Sequence, residues 1–272
     1  MVAPCRARDV ACVRRACVAE LLPGTIGELP SLELLYLEGN RIAIVDVGAF
    51  AGLPSLLELH CTSNEIAGPI PAAFWNNTRL HSLFLGDNLL NELRSGVLPV
   101  SLTELDVEDN CISDVAPGVL SGLPSLQELG LAGNAIRVLQ PGAFAGLSEL
   151  VALDLDSNLV ESFDPAVLEG VTSLRFLTLG GNILTQLALS TSATPALYQL
   201  DLSFNAISGT MPDVCGFDAL QVLTVAYNHI SGTTPSCLLR ADMVDQVLTS
   251  PTILCMGMCW SCCAHRALYY SA

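Results

Sequence analysis

The chain has 272 residues, 51% of them apolar and only 14% charged, with 27 acidic side chains against 11 basic ones and a net charge of −16. All 11 basic residues are arginine, which excludes chemistry that requires a lysine, such as the phosphate-binding lysine of a P-loop or a Schiff base. The same acidity, with no basic run, lacks the clustered positive charge that nucleic-acid phosphates demand.

Residues 1–20 form a segment bearing Cys5, Cys12 and Cys17 beside Arg6, Arg8, Arg14 and Arg15. It has no apolar run of ~7–15 residues and so does not read as a signal peptide. From residue 21 the chain becomes periodic. Asn recurs at 40, 64, 88, 110, 134, 158, 182, 205 and 228, at intervals of 22 to 24 residues. Apolar residues stand eight, five and three places before each Asn, and another stands two places after it. Leu126, Leu129 and Leu131 before Asn134, with Ile136 after it, are typical. Cys61, Val107 and Val225 are the departures among the third members.

This LxxLxLxxNxL unit, present nine times, closely resembles the leucine-rich repeat superfamily over about residues 21–240. The periodicity predicts a short strand in each unit, with inward leucines stacking from coil to coil, because one repeat cannot bury its own apolar face. Asn40, Asn64, Asn88, Asn110, Asn134, Asn158, Asn182, Asn205 and Asn228 are read as structural, each amide satisfying backbone groups where the chain leaves the strand. The resemblance implies an α/β-type solenoid, a right-handed coil with a parallel sheet on its concave face and an irregular, turn-rich or 3-10 convex side. Two repeat classes are mixed. Gly48–Leu53 and Gly142–Leu147 look like the typical 24-residue class of extracellular proteins. Three units read NxIxGxxP, through Gly68 and Pro71, Gly209 and Pro212, and Gly232 and Pro235, similar to the plant-specific class of receptor-like proteins. Leu22–Leu29 matches the back half of a repeat whose front half falls on residues 8–16, where Ala16 replaces the Asn. That start is either an unusual cap or a solenoid entered partway, and the second reading is preferred.

Residues 241–272 are a Cys-rich tail. Its apolar stretch from Ile253 to Ala264 is too short for the ~20 residues of a membrane span. Its CxxxCxxCC pattern, Cys255 to Cys263, matches no zinc spacing, and a disordered or capping tail is expected instead, acylated on cysteine if the chain meets a membrane. Cys61, Cys111, Cys215 and Cys237 are expected as thiols, with a Cys215–Cys237 bridge as the alternative. Asn76-Asn77-Thr78 is a glycosylation sequon with Asn76 as acceptor.

In this family ligands usually meet the concave sheet, so the outward positions six, four, two and one before each Asn carry the functional expectation. Eleven of the 27 acids fall there. Tyr36, His60 and Phe84 occupy one column on three successive strands and should stack. Glu104, Asp106, Glu108, Asp109, Glu128, Asp154 and Asp156 concentrate on the middle strands, with Gly130 leaving a gap between Asp106 and Asp154. Tyr36, Glu58, His60, Phe84, Glu104, Asp106, Glu108, Glu128, Asp154 and Asp156 are therefore the expected partner-binding residues. The resemblance implies a non-enzymatic, receptor-like module, extracellular or at the cell surface, that recognises a basic protein or peptide without cofactor, metal or nucleic acid. Two alternatives share the fold: a secreted inhibitor similar to polygalacturonase-inhibiting proteins, and an adhesion module that binds calcium through the acidic centre.

Overall fold

The structure, a computed structural model, describes residues 9–232 together with a two-residue strand at Val247–Leu248. Three-residue strands recur once per repeat, from Val10–Cys12 to Val222–Thr224. They pair in chain order into a parallel sheet of 11 strands that ends on Val247–Leu248. The register is unbroken: Leu35, Leu59, Leu83, Leu105, Leu129, Leu153, Leu177, Leu200 and Leu223 are successive partners. None of the nine is more than 2% exposed. Such short strands have no stability alone; their stacked leucines hold them.

The Asn ladder accounts for the polar groups of the turn beside the strand. Asn134 shows the pattern. Its Oδ1 accepts the Ile112 N–H of the preceding coil at 2.9 Å, while Nδ2 donates to Val107 O at 3.0 Å and Leu131 O at 3.1 Å. The same bonds recur from Asn64 to Asn228. Buried turns therefore keep every such donor paired across coils.

Val10–Cys12 pairs with Leu34–Tyr36, and Ala11 takes the leucine position of one further coil. Residues that fit the repeat poorly as sequence still adopt it, because a parallel sheet edge offers unpaired backbone groups to any extended segment. Asn40 compensates for Ala16, its Oδ1 accepting from Ala16 N at 2.8 Å and Val18 N at 3.3 Å.

The convex side is built of turns and two-stranded bridges, with one helix among the described residues, the 3-10 turn Pro165–Leu168. Gly68, Gly209 and Gly232, the glycines of NxIxGxxP, have φ of 81°, 81° and 96°, which explains why that class demands glycine there. Among the interior cysteines, Cys61 is a buried thiol and Cys111 an exposed one, whereas Cys12 and Cys215 are disulfide-bonded. Burial pushes the Cys61 thiol far up, so it packs as a small apolar group in a leucine position. The thiol expectation thus fails at Cys215. Cys237, Cys5, Pro235 and the tail motif Cys255–Cys263 lie outside the described residues.

Candidate partner-binding face

The strands leave one face outward, and its side chains divide into three zones along the solenoid. The first is a stacked ladder. Tyr36 and His60 have ring centroids 4.5 Å apart, and His60 and Phe84 are 4.3 Å apart at 13°. Adjacent parallel strands stand ~4.8 Å apart, so rings in one column stack without distorting the backbone. Arg14 extends the ladder, its guanidinium 4.6 Å from the Tyr36 ring. Charge here is matched by charge. Arg14 Nε lies 2.5 Å from Glu38 Oε2, His60 Nε2 bonds Glu58 Oε1, and His60 Nδ1 is 3.8 Å from Glu38 Oε1. Sequence reasoning missed Arg14, because Ala16 hides the register that places it one coil before Glu38.

The second zone is acidic and unpaired. Glu104 and Glu128 are direct neighbours across two strands, as are Asp106 and Gly130, then Gly130 and Asp154. Among the described residues, no ion pair reaches this zone. Gly130 does not leave a gap. A Cβ built there would stand 2.6 Å from Glu108 Oε1, because the Glu108 side chain leans across the glycine. Glu108 thus lies among Asp106, Asp154, Asp109 and Asp156; partial burial and their repulsion push its carboxyl up to about 7. Asp156 is raised to about 6 by burial and by Asp154, and Asp106 is raised as well, chiefly by burial.

Part of this acid serves the fold. Asp106, Asp154 and Asp201 each accept the N–H of the residue two places on, at 2.8, 2.9 and 2.8 Å, closing the strand end. Asp156 accepts Gly180 N–H at 2.6 Å. Among the described residues, no three His, Cys, Asp or Glu side chains gather as a metal-holding group.

The third zone was not anticipated. The residue before every ladder Asn has φ between 50° and 65°, and most are Gly, Asp or Ser, which tolerate it. Phe204 and Tyr227 are the bulky exceptions. Both are more than half exposed, and they stack with centroids 4.2 Å apart. Bulky rings on left-handed backbone are uncommon, so the pair stands out from the Gly, Asp and Ser of the other coils. The signal lies in the position before Asn, where two of the nine coils carry an aromatic side chain.

A coil of stacked repeats with one open strand face defines a repeat-built scaffold. The chain belongs to the leucine-rich repeat family: residues 30–90, 78–136 and 126–184 match the family model described as leucine rich repeat. It is similar to Transforming growth factor beta activator LRRC32 of Pongo abelii, 40% identical over 105 residues, which is 35% of this chain and 16% of that protein. Lumican of Coturnix japonica is 36% identical over 107 residues, 39% of this chain and 31% of lumican. These matches span less than a third of either relative's own length. The octameric complex of Latrophilin 3, Unc5D and FLRT2, in which FLRT2 supplies the leucine-rich repeats, contains a chain that aligns with a TM-score of 0.70 and 26% identity. That alignment covers 79% of this chain and 66% of the other. Plant peptide hormone receptor RGFR1 in complex with RGF2 aligns at 0.67 and 22% identity, over 89% of this chain and 39% of the receptor, a likeness of fold. Among the described residues, no helix is long and apolar enough to cross a membrane.

Proposed function

We propose that this chain is a non-enzymatic recognition module, receptor-like and extracellular or at the cell surface, that takes a basic protein or peptide across its strand face. The carrying observation is the run of unpaired, mutually repelling carboxylates flanked by two aromatic platforms. A partner's arginines or lysines would relieve that repulsion and stack on Phe84 at one end and on Phe204 and Tyr227 at the other. The protein complexes in which FLRT2 and RGFR1 appear support partner recognition. Disulfide-bonded Cys12 and Cys215 support an oxidising compartment.

The test is affinity for a nona-arginine peptide, compared between two sets of neutralised variants with equal net charge. The set Asp106→Asn, Glu108→Gln and Asp154→Asn keeps side-chain shape on the strand face. The control set Glu149→Gln, Glu161→Gln and Glu169→Gln lies at exposed positions off the strands. The first set is expected to weaken binding about tenfold, since each lost contact removes a fraction of the ~1.4 kcal/mol that a factor of ten requires. Equal weakening by both sets would sink the reading, since it would then be net charge that binds.

A further inference from the structure

The repeats provide their own baseline, and one convex corner departs from it at three consecutive positions. At the corner, coils place a buried apolar residue, Leu53, Leu123, Leu147 or Val171, preceded each time by glycine. The coil of Asn64 reads Trp75-Asn76-Asn77 instead, followed by Thr78. Asn77 takes the buried place at 5% exposure. Its Nδ2 donates to Phe50 O at 3.2 Å and Leu53 O at 3.1 Å of the preceding coil, and its N–H bonds Phe74 O at 3.1 Å. That anchor turns its two neighbours outward, so Asn76 and Thr78, the acceptor and the hydroxyl of the sequon, are both exposed.

The following coil supplies a space beside them. Asn88 to Asn110 is 22 residues, where the coils before and after are 24. A coil two residues shorter cannot project as far on its convex side. Its segment Leu98-Pro99-Val100 lies in a groove of about 320 Å³, with Trp75 on one wall and Val119 and Leu123 on the other. Asn76 and Thr78 line this same groove. Trp75 is 51% exposed and Val100 65%, so the groove carries an exposed apolar surface beside the sequon.

We propose that Asn76 carries an N-linked glycan and that its first sugars lie in this groove, their apolar ring faces against the Trp75 indole. In the step that attaches it, Asn76 Nδ2 forms a bond to the anomeric carbon of a polyprenyl-diphosphate-linked oligosaccharide. The carbon–oxygen bond to the diphosphate breaks, the diphosphate leaves with the electron pair, and the amide nitrogen gives up one proton. Attachment rests on the extracellular placement proposed above and is independent of what the strand face binds.

The full chain, secreted from insect cells behind an added leader, tests both parts. The expected result is a glycosidase-sensitive mass shift in the wild type and in Thr78→Ser, absent in Asn76→Gln and Thr78→Ala. In a Trp260→Phe background, Trp75 is the remaining tryptophan, and acrylamide should quench it at least twofold less with the glycan present than after its enzymatic removal. Secreted, folded wild type with no shift overturns the site. A shift with unchanged quenching overturns the groove as its seat. Nona-arginine affinity measured on the same Asn76→Gln sample should stay at the wild-type value, which separates this test from that of the strand face.

Discussion

The first strands and the middle strands of the same sheet treat charge in opposite ways. Along the ring ladder from Arg14 to Phe84, opposite charges meet: Arg14 lies against Glu38, and His60 sits between Glu38 and Glu58. Beginning on the very next strand, where Asp106 pairs with Phe84, Asp106, Glu108, Asp154 and Asp156 share one neighbourhood, and no ion pair reaches it among the described residues. The strand register runs unbroken through both, so on the sheet the difference is carried by side chains. The first region has its charges matched and its rings stacked. The second holds partly buried carboxylates that raise one another's pKa, the feature on which the proposed basic partner rests.

Substitutions at five residues test that contrast. Leu59→Ala and Leu129→Ala lie beneath the two regions and should each cost about 2–5 kcal/mol in thermal or denaturant melts, because one core runs under both. A Leu129→Ala variant that melts like wild type would break the shared core. His60→Ala removes the middle ring of the ladder and two stacks of ~0.5–1.5 kcal/mol each. The expected loss is about 1–3 kcal/mol, with His60→Phe recovering much of it.

Glu108→Gln should act in the opposite direction. The folded carboxyl titrates at about 7, above its ordinary 4.5. The folded state therefore binds more protons than the unfolded chain between those values, and wild-type stability falls as pH rises through the window. Glu108→Gln flattens this fall. It should be about 1 kcal/mol more stable than wild type at pH 8, after discounting for solvent screening, and equal to it at pH 4. A less stable variant at pH 8 would contradict the cluster. The smallest effect is at the exposed end of the ladder. Arg14→Ala should cost about 0.5–1 kcal/mol, eroding with added salt, since its cation–π contact and ion pair are both solvated.

What the sequence made legible was whatever repeats. Each inward leucine and ladder Asn recurs at one offset, and a one-dimensional fold converts offset directly into position. The column Tyr36, His60, Phe84 was legible for the same reason. What stayed hidden depends on reach and on backbone angle. Asp106, Asp154 and Asp201 look like free acids in a column, yet each spends an oxygen on its own chain two residues on. Glu108 lies two positions past Asp106 but leans over Gly130 of the next coil, so a glycine read as a gap is the seat of a carboxyl raised to about 7. Phe204 and Tyr227 stand at a position whose left-handed backbone no composition reveals.

Among the described residues, no cationic side chain neutralises these carboxylates. A carbon-13 NMR titration of the Glu108 carboxyl tests it most directly. The account predicts a midpoint near 7 in the wild type, as its surroundings require. It also predicts a fall toward the ordinary glutamate value when Asp106, Asp154 and Asp156 are each changed to Asn. A wild-type midpoint at the ordinary value, unmoved by those changes, would contradict it.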